Sequence, residues 1–446
     1  MLRTQGCWCT IMYYDNSNSE TIAIAYVACC IFYEVEEIFM NRAVSVQQAR
    51  ELILSIPYTA PAPELVSLMD SYDRVLAEDV KALIPIPPFD RSPFDGYAFR
   101  GEDTSAASAE SPVTLKITEE LPAGAVPTIG ITAGFAAKIL TGAPIPAGAN
   151  ATVKYEETAG FTDDSVTFTV PAKPDSNIVY AGEDVRQNDI IARRGTIVSP
   201  AAAGLFASAG HTAVPVFKRP VVAILNTGTE LCEPGNPLPF GKIYNSSVFS
   251  LMGTIRQLGL DAYNAGVVRD DPDEIARVID NNLAKSDVVI TTGGASVGEY
   301  DFSVTSAQRL GANTLFWKSN VQPGGALVVS ELRGKLILGL SGNPGAALIS
   351  LLCMASPFLK RLSGQCDYEL KTVEAALVQG FKKSSGEKAR LLRGSLELKD
   401  GRALFVPRGE QGGGVLSSFM GAELIVEIPP NTPPLPKGSV VRGYLV

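Results

Sequence analysis

The sequence predicts a multidomain protein: a central, mostly parallel α/β sheet domain, a small β-rich inserted domain and a β-barrel-like C-terminal domain. The chain has 446 residues, which is too long for one hydrophobic core. Apolar strand-like runs alternate with amphipathic helical runs over residues 219–362, a pattern typical of a parallel sheet with helices on both faces. Short alternating runs separated by Gly and Pro precede and follow this region, as in small β modules.

Changes in composition and turn residues divide the chain into five predicted regions. The first 39 residues differ from the rest, and their apolar run of about 13 residues is too short to span a bilayer. Because Met40 precedes a helical run, we predict that Met40 is the natural start and that residues 1–39 are a mis-called or disordered extension. The other boundaries predict a first domain at residues 40–82 and 188–216, a β-rich domain at 83–187, an α/β domain at 217–364 and a β-barrel domain at 370–446.

Local patterns predict the elements that matter most for the site. Residues 44–56 carry an apolar stripe at helical spacing, and residues 64–76 are expected to form a second short helix. Three apolar runs, residues 221–225, 288–290 and 335–338, are expected to be buried strands of the α/β sheet.

Composition excludes several classes of function. A net charge of −9 argues against nucleic acid as a partner, because phosphate backbones require Lys and Arg. The single histidine, His211, argues against zinc hydrolase or triad chemistry. The seven cysteines are not spaced as a disulfide framework, which is typical of a reduced, cytoplasmic protein. We expect neither a nucleic-acid partner nor a membrane partner.

Polar segments containing glycine follow all three predicted sheet strands. They are NTGTE at residues 226–230, TTGGASVGEYD at 291–301 and GLSGNP at 339–344. Glycine allows close approach and positive φ, and successive N–H groups in such turns bind anions. Because ligands of open α/β sheets lie at the carboxyl ends of the strands, the three loops predict one site for a phosphorylated ligand. No Walker or G-x-G-x-x-G pattern occurs, which disfavours the corresponding nucleotide-binding classes.

Five segments taken together resemble one known family. PPFDRSPFDGYA, AGEDV, NTGTEL, TTGGASVGEYD and GLSGNPGAA occur in this order in molybdopterin molybdenumtransferases, the family of bacterial MoeA and the gephyrin E domain. The resemblance runs from about Val44 to the C-terminus. It implies a homodimer of four-domain subunits, in which the α/β domain, of the molybdopterin-binding type, faces the small β domain of the partner. The implied enzyme inserts molybdenum from molybdate into adenylylated molybdopterin, releases AMP and uses Mg²⁺.

The resemblance also implies roles for particular residues. Glu230 and Asp301 are the expected Mg²⁺ ligands, because both are hard oxygen donors at loop tips. The residues expected to be catalytic are Asp301, Glu230, Asp95, Asp184 and Lys318. The residues expected to bind the substrate are Thr227, Gly228, Asp271, Gly293, Gly294, Ser296, Gly298, Ser341, Gly342, Asn343, Arg390 and Arg393.

Two of these carboxylates have an alternative interpretation. Asp271 precedes Pro272 and is equally consistent with a helix N-cap. Asp95 precedes Gly96 and is also consistent with a turn residue.

The chain departs from the family pattern at two cationic positions. Many relatives have Lys-Pro-Gly-Lys where this chain has Gln322, Pro323, Gly324 and Gly325. Either Arg390 and Arg393 compensate for the missing lysines, or the affinity for the anion is lower. This departure leaves tungstate open as an alternative to molybdate.

Two other functions remain as alternatives. A molybdopterin adenylyltransferase would need only the α/β module, whereas the acidic motifs at Asp95 and Asp184 lie outside it. A non-catalytic scaffold of the gephyrin E type would need no loop acids, and the chain retains them. Protein partners implied by the resemblance are an upstream adenylyltransferase and downstream molybdoenzymes or their chaperones.

Overall fold

The computed structural model describes residues 43–294 and 302–446, which separate into two compact units. Among these residues, the first unit comprises 43–59, 220–360 and 368–446. The second unit comprises 60–219 and 361–367. The predicted extension at residues 1–39 and the predicted start at Met40 lie outside the described residues.

Helix α1 (Val46–Leu54) begins the first unit with a capping box. The Ser45 hydroxyl accepts a hydrogen bond from the Gln48 backbone N–H, and the Gln48 side chain accepts one from the Ser45 N–H. The helix predicted at residues 44–56 is thereby confirmed. Arg50 fixes the helix from its other face, because its Nε donates to the Cys353 carbonyl and its guanidinium lies 4.1 Å from the ring centre of Tyr444.

The second unit is built mainly from strands. Its elements are β1 (Pro63–Ser67), β2 (Val80–Lys81), β3 (Gly96–Phe99), β4 (Val113–Leu121), β5 (Phe135–Ile139), β6 (Ala151–Lys154), β7 (Gly160–Phe161), β8 (Ser165–Phe168), β9 (Ile190–Ala192), α2 (Pro200–Ser208) and β10 (Ala213–Phe217). Six strands form one sheet in the order β6-β3-β5-β4-β8-β7. Tyr97, Phe99 and Phe168 belong to the core of this sheet, which confirms the predicted small β-rich domain.

The helix predicted at residues 64–76 is wrong. Its first residues form β1, which pairs antiparallel with β10 so that Leu65 lies opposite Pro215. Val66 packs against a core cluster that contains Leu76 and Phe206. A strand partner satisfies the backbone here and alternate residues are half-buried, so tertiary pairing overrides the local helical pattern.

The first unit continues with an α/β sheet. Its elements are β11 (Val221–Thr227), β12 (Leu231–Cys232), β13 (Ile243–Tyr244), α3 (Ser247–Gln257), β14 (Asp261–Val268), α4 (Pro272–Leu283), β15 (Val288–Thr292), α5 (Phe302–Arg309), β16 (Asn313–Trp317), β17 (Val321–Gln322), β18 (Leu327–Leu332), β19 (Lys335–Leu340), α6 (Pro344–Ser350) and α7 (Ser356–Leu362). The main sheet has the order β14-β11-β15-β19-β18-β16. Its first four strands are parallel to one another, and β18 pairs antiparallel with both β19 and β16, which confirms the predicted mostly parallel sheet.

A π-helical turn, Leu351–Ala355, joins α6 to α7. By length and composition, the resulting stretch Pro344–Leu362 could cross a membrane, but 78% of its most apolar 18-residue window is buried within the protein. Burial of this kind is typical of a core helix, and the Cys353 carbonyl in the turn receives the Arg50 hydrogen bond.

The C-terminal part of the first unit is a closed barrel. Its strands are β20 (Thr372–Leu377), β21 (Ala389–Lys399), β22 (Arg402–Pro407), β23 (Leu424–Ile428) and β24 (Val440–Leu445). They follow the order β21-β22-β20-β24-β23, and β23 pairs back onto β21. The barrel predicted for the C-terminal region is therefore confirmed. Strand β17 adds to β21 in parallel and so links the loop after β16 to the barrel.

Replacing Gly96 by alanine is expected to destabilise the six-stranded sheet of the second unit. A Cβ at this position would lie 1.8 Å from the Val153 carbonyl oxygen of the neighbouring strand, and overpacking of this kind costs about 1–3 kcal/mol. Urea unfolding followed by circular dichroism measures the effect. The matched control is Gly160→Ala in the same sheet, where a Cβ meets open space. Equal unfolding midpoints for the two variants would contradict this packing.

Candidate functional site

Three loops at one edge of the α/β sheet meet at Gly293. Strands β11, β15 and β19 are parallel neighbours, so their carboxyl ends lie side by side. The Gly293 N–H donates to the Leu340 carbonyl at 3.2 Å. A Cβ on Gly293 would lie 2.4 Å from the Thr227 carbonyl oxygen, and a Cβ on Gly342 would lie 3.5 Å from the Gly293 Cα. The structure thus brings together residues from all three loops.

The loop after β15 presents backbone groups rather than side chains at Gly293 and Gly294. Gly293 and Gly294 have φ values of 87° and 67°, which favour glycine. Because Gly293 also has no room for a Cβ, main-chain groups are what this part of the loop presents to a ligand. Ser296, Gly298 and Asp301 lie outside the described residues, and their roles stay predictions.

The carboxylate of Glu230 folds back over Gly228. A Cβ on Gly228 would lie 2.6 Å from Glu230 Oε2, and the φ of Gly228 is 139°. The Ile243 N–H donates to the Glu230 carbonyl at 3.0 Å, and Lys242 Nζ donates to the Thr229 carbonyl. The β12–β13 segment therefore holds the Glu230 loop, and the Glu230 carboxylate occupies the space that a side chain at position 228 would take.

The donor set fits Mg²⁺ only in part within the described residues. Residues 43–294 and 302–446 contain no group of three or more His, Cys, Asp or Glu side chains placed to hold a metal ion. Mg²⁺ commonly takes one or two protein carboxylates together with substrate phosphates. Exposed Glu230 can supply one such carboxylate, and the second expected ligand is Asp301, outside the described residues.

A buried amide network behind the loops was missed by the sequence reasoning. Asn226 Nδ2 donates to Thr292 Oγ1, and Asn245 Nδ2 donates to Asn226 Oδ1 at 3.3 Å. Asn226 is 0% and Asn245 1% exposed. Asn226 and Thr292 could have been predicted from the sequence, because each is a polar residue at the end of an apolar strand. No local sequence pattern indicates Asn245. The network ties the end of β11 to the end of β15 and to the segment before α3.

Several buried oxygens at this edge have no hydrogen-bond partner among the described residues. They are Thr227 Oγ1, Thr291 Oγ1 and Asn245 Oδ1. Buried polar atoms are nearly always bonded in folded proteins. Their concentration behind three glycine-containing loops is therefore more typical of a binding site than of a packed core.

Lys318 adopts a strained backbone conformation at the edge of a cavity. Its φ is 78°, in the left-handed region that is unfavourable for residues other than glycine. Its Nζ lies 3.8 Å from the ring centre of Trp317. The cavity has a volume of about 480 Å³ and is also lined by Ser341 and Asn343. The structure thus places three of the predicted site residues around one cavity.

Arg390 and Arg393 have different environments. Arg390 lines a second cavity of about 570 Å³ together with Lys382 and Lys383. Arg393 is 0% exposed, and its Nη2 donates to the carbonyls of Glu410 and Gly412. Burial lowers the pKa of Arg393 to about 10. Direct contact of either arginine with a ligand stays a prediction, and the burial of Arg393 favours a supporting role for it.

Asp271 is the N-cap of helix α4. Its Oδ1 accepts hydrogen bonds from the backbone N–H groups of Asp273 at 2.9 Å and Glu274 at 2.8 Å. The capping interpretation is confirmed, and a substrate contact by Asp271 stays a prediction.

Asp95 and Asp184 belong to the second unit, where two predicted motifs run side by side. Ile86 pairs with Val185, and Arg91 pairs with Val179. Asp184 is exposed next to this pairing. The structure therefore joins the PPFDRSPFDG and AGEDV segments within one unit.

The Asp95 carboxylate is held by the turn that follows β5. Its Oδ1 accepts hydrogen bonds from the Thr141 N–H at 2.8 Å and the Thr141 hydroxyl at 2.7 Å. These bonds to the charged form lower the pKa of Asp95. The Asp95 carboxylate is thus ionised, oriented and exposed, and it can contact a cationic or hydrogen-bonding group. A residue that only shapes a turn would not need these properties.

The fold and these loops define a multidomain α/β protein of the molybdopterin-binding type. Residues 44–210 match the MoeA N-terminal region (domain I and II), residues 223–361 match a probable molybdopterin binding domain, and residues 377–446 match the MoeA C-terminal region (domain IV).

Similar proteins extend this likeness over most of the chain. The molybdopterin molybdenumtransferase of Staphylococcus aureus (strain COL) is 33% identical over 388 residues, covering 86% of this chain and 91% of that protein. The enzyme of the same name from Bacillus subtilis (strain 168) is 34% identical over 387 residues, covering 86% and 90%. The crystal structure of the molybdopterin biosynthesis moeA protein from Pyrococcus horikoshii OT3 matches with a TM-score of 0.77 at 29% identity, covering 91% of this chain and 100% of that one. The chain belongs to the molybdopterin molybdenumtransferase family.

Thr141→Val is expected to raise the pKa of Asp95, because one of the two bonds that favour the ionised form is lost. Since the pKa of Asp95 is lowered in the folded state, its stabilising contribution is present above its ordinary value of 3.8 and is lost as the pH falls through the folded value. Carboxyl ¹³C chemical shifts measured from pH 2 to pH 7 report the change. The control is Thr118→Val, whose hydroxyl donates to the Ala136 carbonyl. An unchanged Asp95 titration in Thr141→Val would refute this assignment.

Proposed function

We propose that the protein is a molybdopterin molybdenumtransferase, which inserts molybdenum from molybdate into adenylylated molybdopterin and releases AMP. The observation that carries this proposal is the meeting of three main-chain loops at Gly293, beside a lysine-containing cavity. Membership of the family supports the same reaction. The loops would provide N–H donors for phosphate, and the cavity would provide positive charge for an oxometalate.

Neutral, cationic and anionic groups of this chain would have different roles. Backbone amides of the loops that contain Thr227, Gly294 and Gly342 would hold the phosphate groups of the pterin nucleotide, because amides bind anions without adding net charge. Lys318 would offset part of the charge of the molybdate dianion. Asp95 and Asp184 would orient polar groups of the substrates, since Asp95 stays ionised near neutral pH.

Mg²⁺ is proposed as the cofactor, with Glu230 and Asp301 as its protein ligands. When bound, this ion would polarise the phosphoryl oxygens of the pyrophosphate that is to be cleaved. Glu230 supports the proposal because its carboxylate is held on an exposed loop tip next to Gly228.

We further propose a cytoplasmic homodimer in which the α/β domain of one subunit faces the small β domain of the other. The absence of a disulfide-like cysteine pattern in the sequence favours a reducing compartment. Upstream adenylyltransferase and downstream molybdoenzymes or chaperones are proposed as protein partners, because the substrate and product pass between enzymes.

Neither alternative is favoured. A molybdopterin adenylyltransferase would account for the α/β domain but not for the matches at residues 44–210 and 377–446. A scaffold would not require the strained Lys318 or the held Asp95 carboxylate.

Asp301→Asn is expected to abolish molybdate-dependent AMP release, because the amide cannot replace a carboxylate as a Mg²⁺ ligand. AMP is measured by chromatography after incubation with adenylylated molybdopterin, Mg²⁺ and either molybdate or tungstate. The control variant is Asp400→Asn, an exposed barrel residue with a φ of 51° that asparagine tolerates. Near-normal AMP release by Asp301→Asn would show that the role given to Asp301 is wrong. Absence of AMP release by the unmodified protein with both oxyanions would refute the proposed function.

Mixing Asp95→Asn and Asp301→Asn subunits is expected to restore activity if each site takes Asp95 from one subunit and Asp301 from the other. Random assembly gives half heterodimers with one intact site each, so about a quarter of the normal AMP release should return. Co-expression with two affinity tags allows the heterodimer to be purified and assayed. If purified heterodimers are as inactive as either parent, the site does not span subunits.

A further inference from the structure

The cavity beside Lys318 is lined by a second lysine, Lys388, to which neither the motifs nor the loops assign a role. The same cavity wall includes Ser341, Asn343 and Gly325. No carboxylate from the described part of the chain lines this cavity. Two ammonium groups together with hydroxyl and amide donors form an environment that attracts a doubly charged oxyanion.

Backbone hydrogen bonds hold Lys388 against this wall. The Ala389 N–H donates to the Asn320 carbonyl, and Asn320 Nδ2 donates to the Glu387 carbonyl, both at 3.0 Å. Strand β17 then pairs in parallel with β21, which places Gln322 opposite Arg390. The residues on both sides of Lys388 are therefore tied to the 320–322 segment, which carries part of the cavity lining.

The local backbone leaves little space for a lysine at position 325. A Cβ on Gly325 would lie 2.8 Å from the Val321 carbonyl oxygen and 3.1 Å from the Ser319 carbonyl oxygen. Gln322, in contrast, is exposed on the short strand β17 and has room for a longer side chain. Cationic charge in this cavity therefore has to come from residues other than 325.

Arg393 does not provide this charge. It is fully buried and donates to backbone carbonyls of the barrel. Lys388 is exposed and lines the cavity together with Lys318. Of the two cationic side chains in the cavity lining, one comes from the α/β domain and one from the start of a barrel strand.

We propose that Lys388 is a binding residue for the oxometalate anion and that it supplies, together with Lys318, the positive charge of this cavity. This inference rests on the proposed function and deepens it, because it names a residue of the barrel domain that contacts the oxyanion.

Trp317 gives a direct signal for the test. The chain has two tryptophans, Trp8 and Trp317, so Trp8→Phe leaves one fluorophore, which lines the cavity. In this background, molybdate and tungstate are titrated at low ionic strength while Trp317 fluorescence is recorded. Lys388→Gln is expected to raise the Kd about ten-fold, because one charge close to the anion is removed. Lys388→Arg keeps the charge and should bind with the parental Kd.

Two further variants separate charge from structure. Lys399→Gln removes a lysine from the other end of the same strand, and the Kd should not change. Gln322→Lys added to Lys388→Gln puts a positive charge back into the lining of the same cavity, and most of the lost affinity should return. Circular dichroism verifies that every variant is folded.

Parental affinity in Lys388→Gln would overturn the proposal. It would also be overturned if Lys388→Arg did not retain binding and Gln322→Lys did not restore it. Equilibrium dialysis with molybdate repeats each comparison without an optical signal, and a parent protein that binds no oxyanion in both assays would also overturn it. These measurements need no pterin. Lys388-dependent oxyanion binding without AMP release would therefore refute the proposed function while supporting the role of Lys388.

Discussion

The close approach of three main-chain segments around Gly293 is the constraint on which the candidate site depends. A side chain at this position would collide with the Thr227 carbonyl, and the neighbouring loop reaches the Gly293 Cα through Gly342. Parallel pairing of β11, β15 and β19 delivers all three segments to the same sheet edge. Backbone groups rather than side chains therefore surround this point. Backbone N–H donors suit anionic ligands because they carry no net charge.

Polar groups behind these loops explain how such a contact can be stable. Asn226, Asn245 and Thr292 are buried, and their hydrogen bonds cross from one strand end to the next. A buried network of this kind is costly if broken, because each orphaned group loses its hydration without compensation. It gives the loops a fixed separation that glycine-containing segments alone would not maintain.

The two arginines that the sequence analysis offered as sources of positive charge, Arg390 and Arg393, do not line the cavity beside Lys318. Arg393 is buried under the barrel wall, whereas Lys318 and Lys388 line one cavity from two parts of the first unit. The link between β17 and β21 makes this arrangement possible, because it ties the barrel to the loop after β16. The barrel therefore contributes to the lining of the candidate site through the pairing of β21 with β17.

The sequence by itself determined the α/β alternation, the barrel, the three loops and the family, because apolar periodicity and glycine placement are local signals. It failed at residues 64–76, where pairing of β1 with β10 decides the structure. Only the tertiary structure placed Asn245 in the buried network, Lys388 in the cavity lining and Arg393 in the protein interior. The physical reason is that burial and cavity lining arise from residues distant in the chain, whose contacts leave no periodic pattern in the sequence.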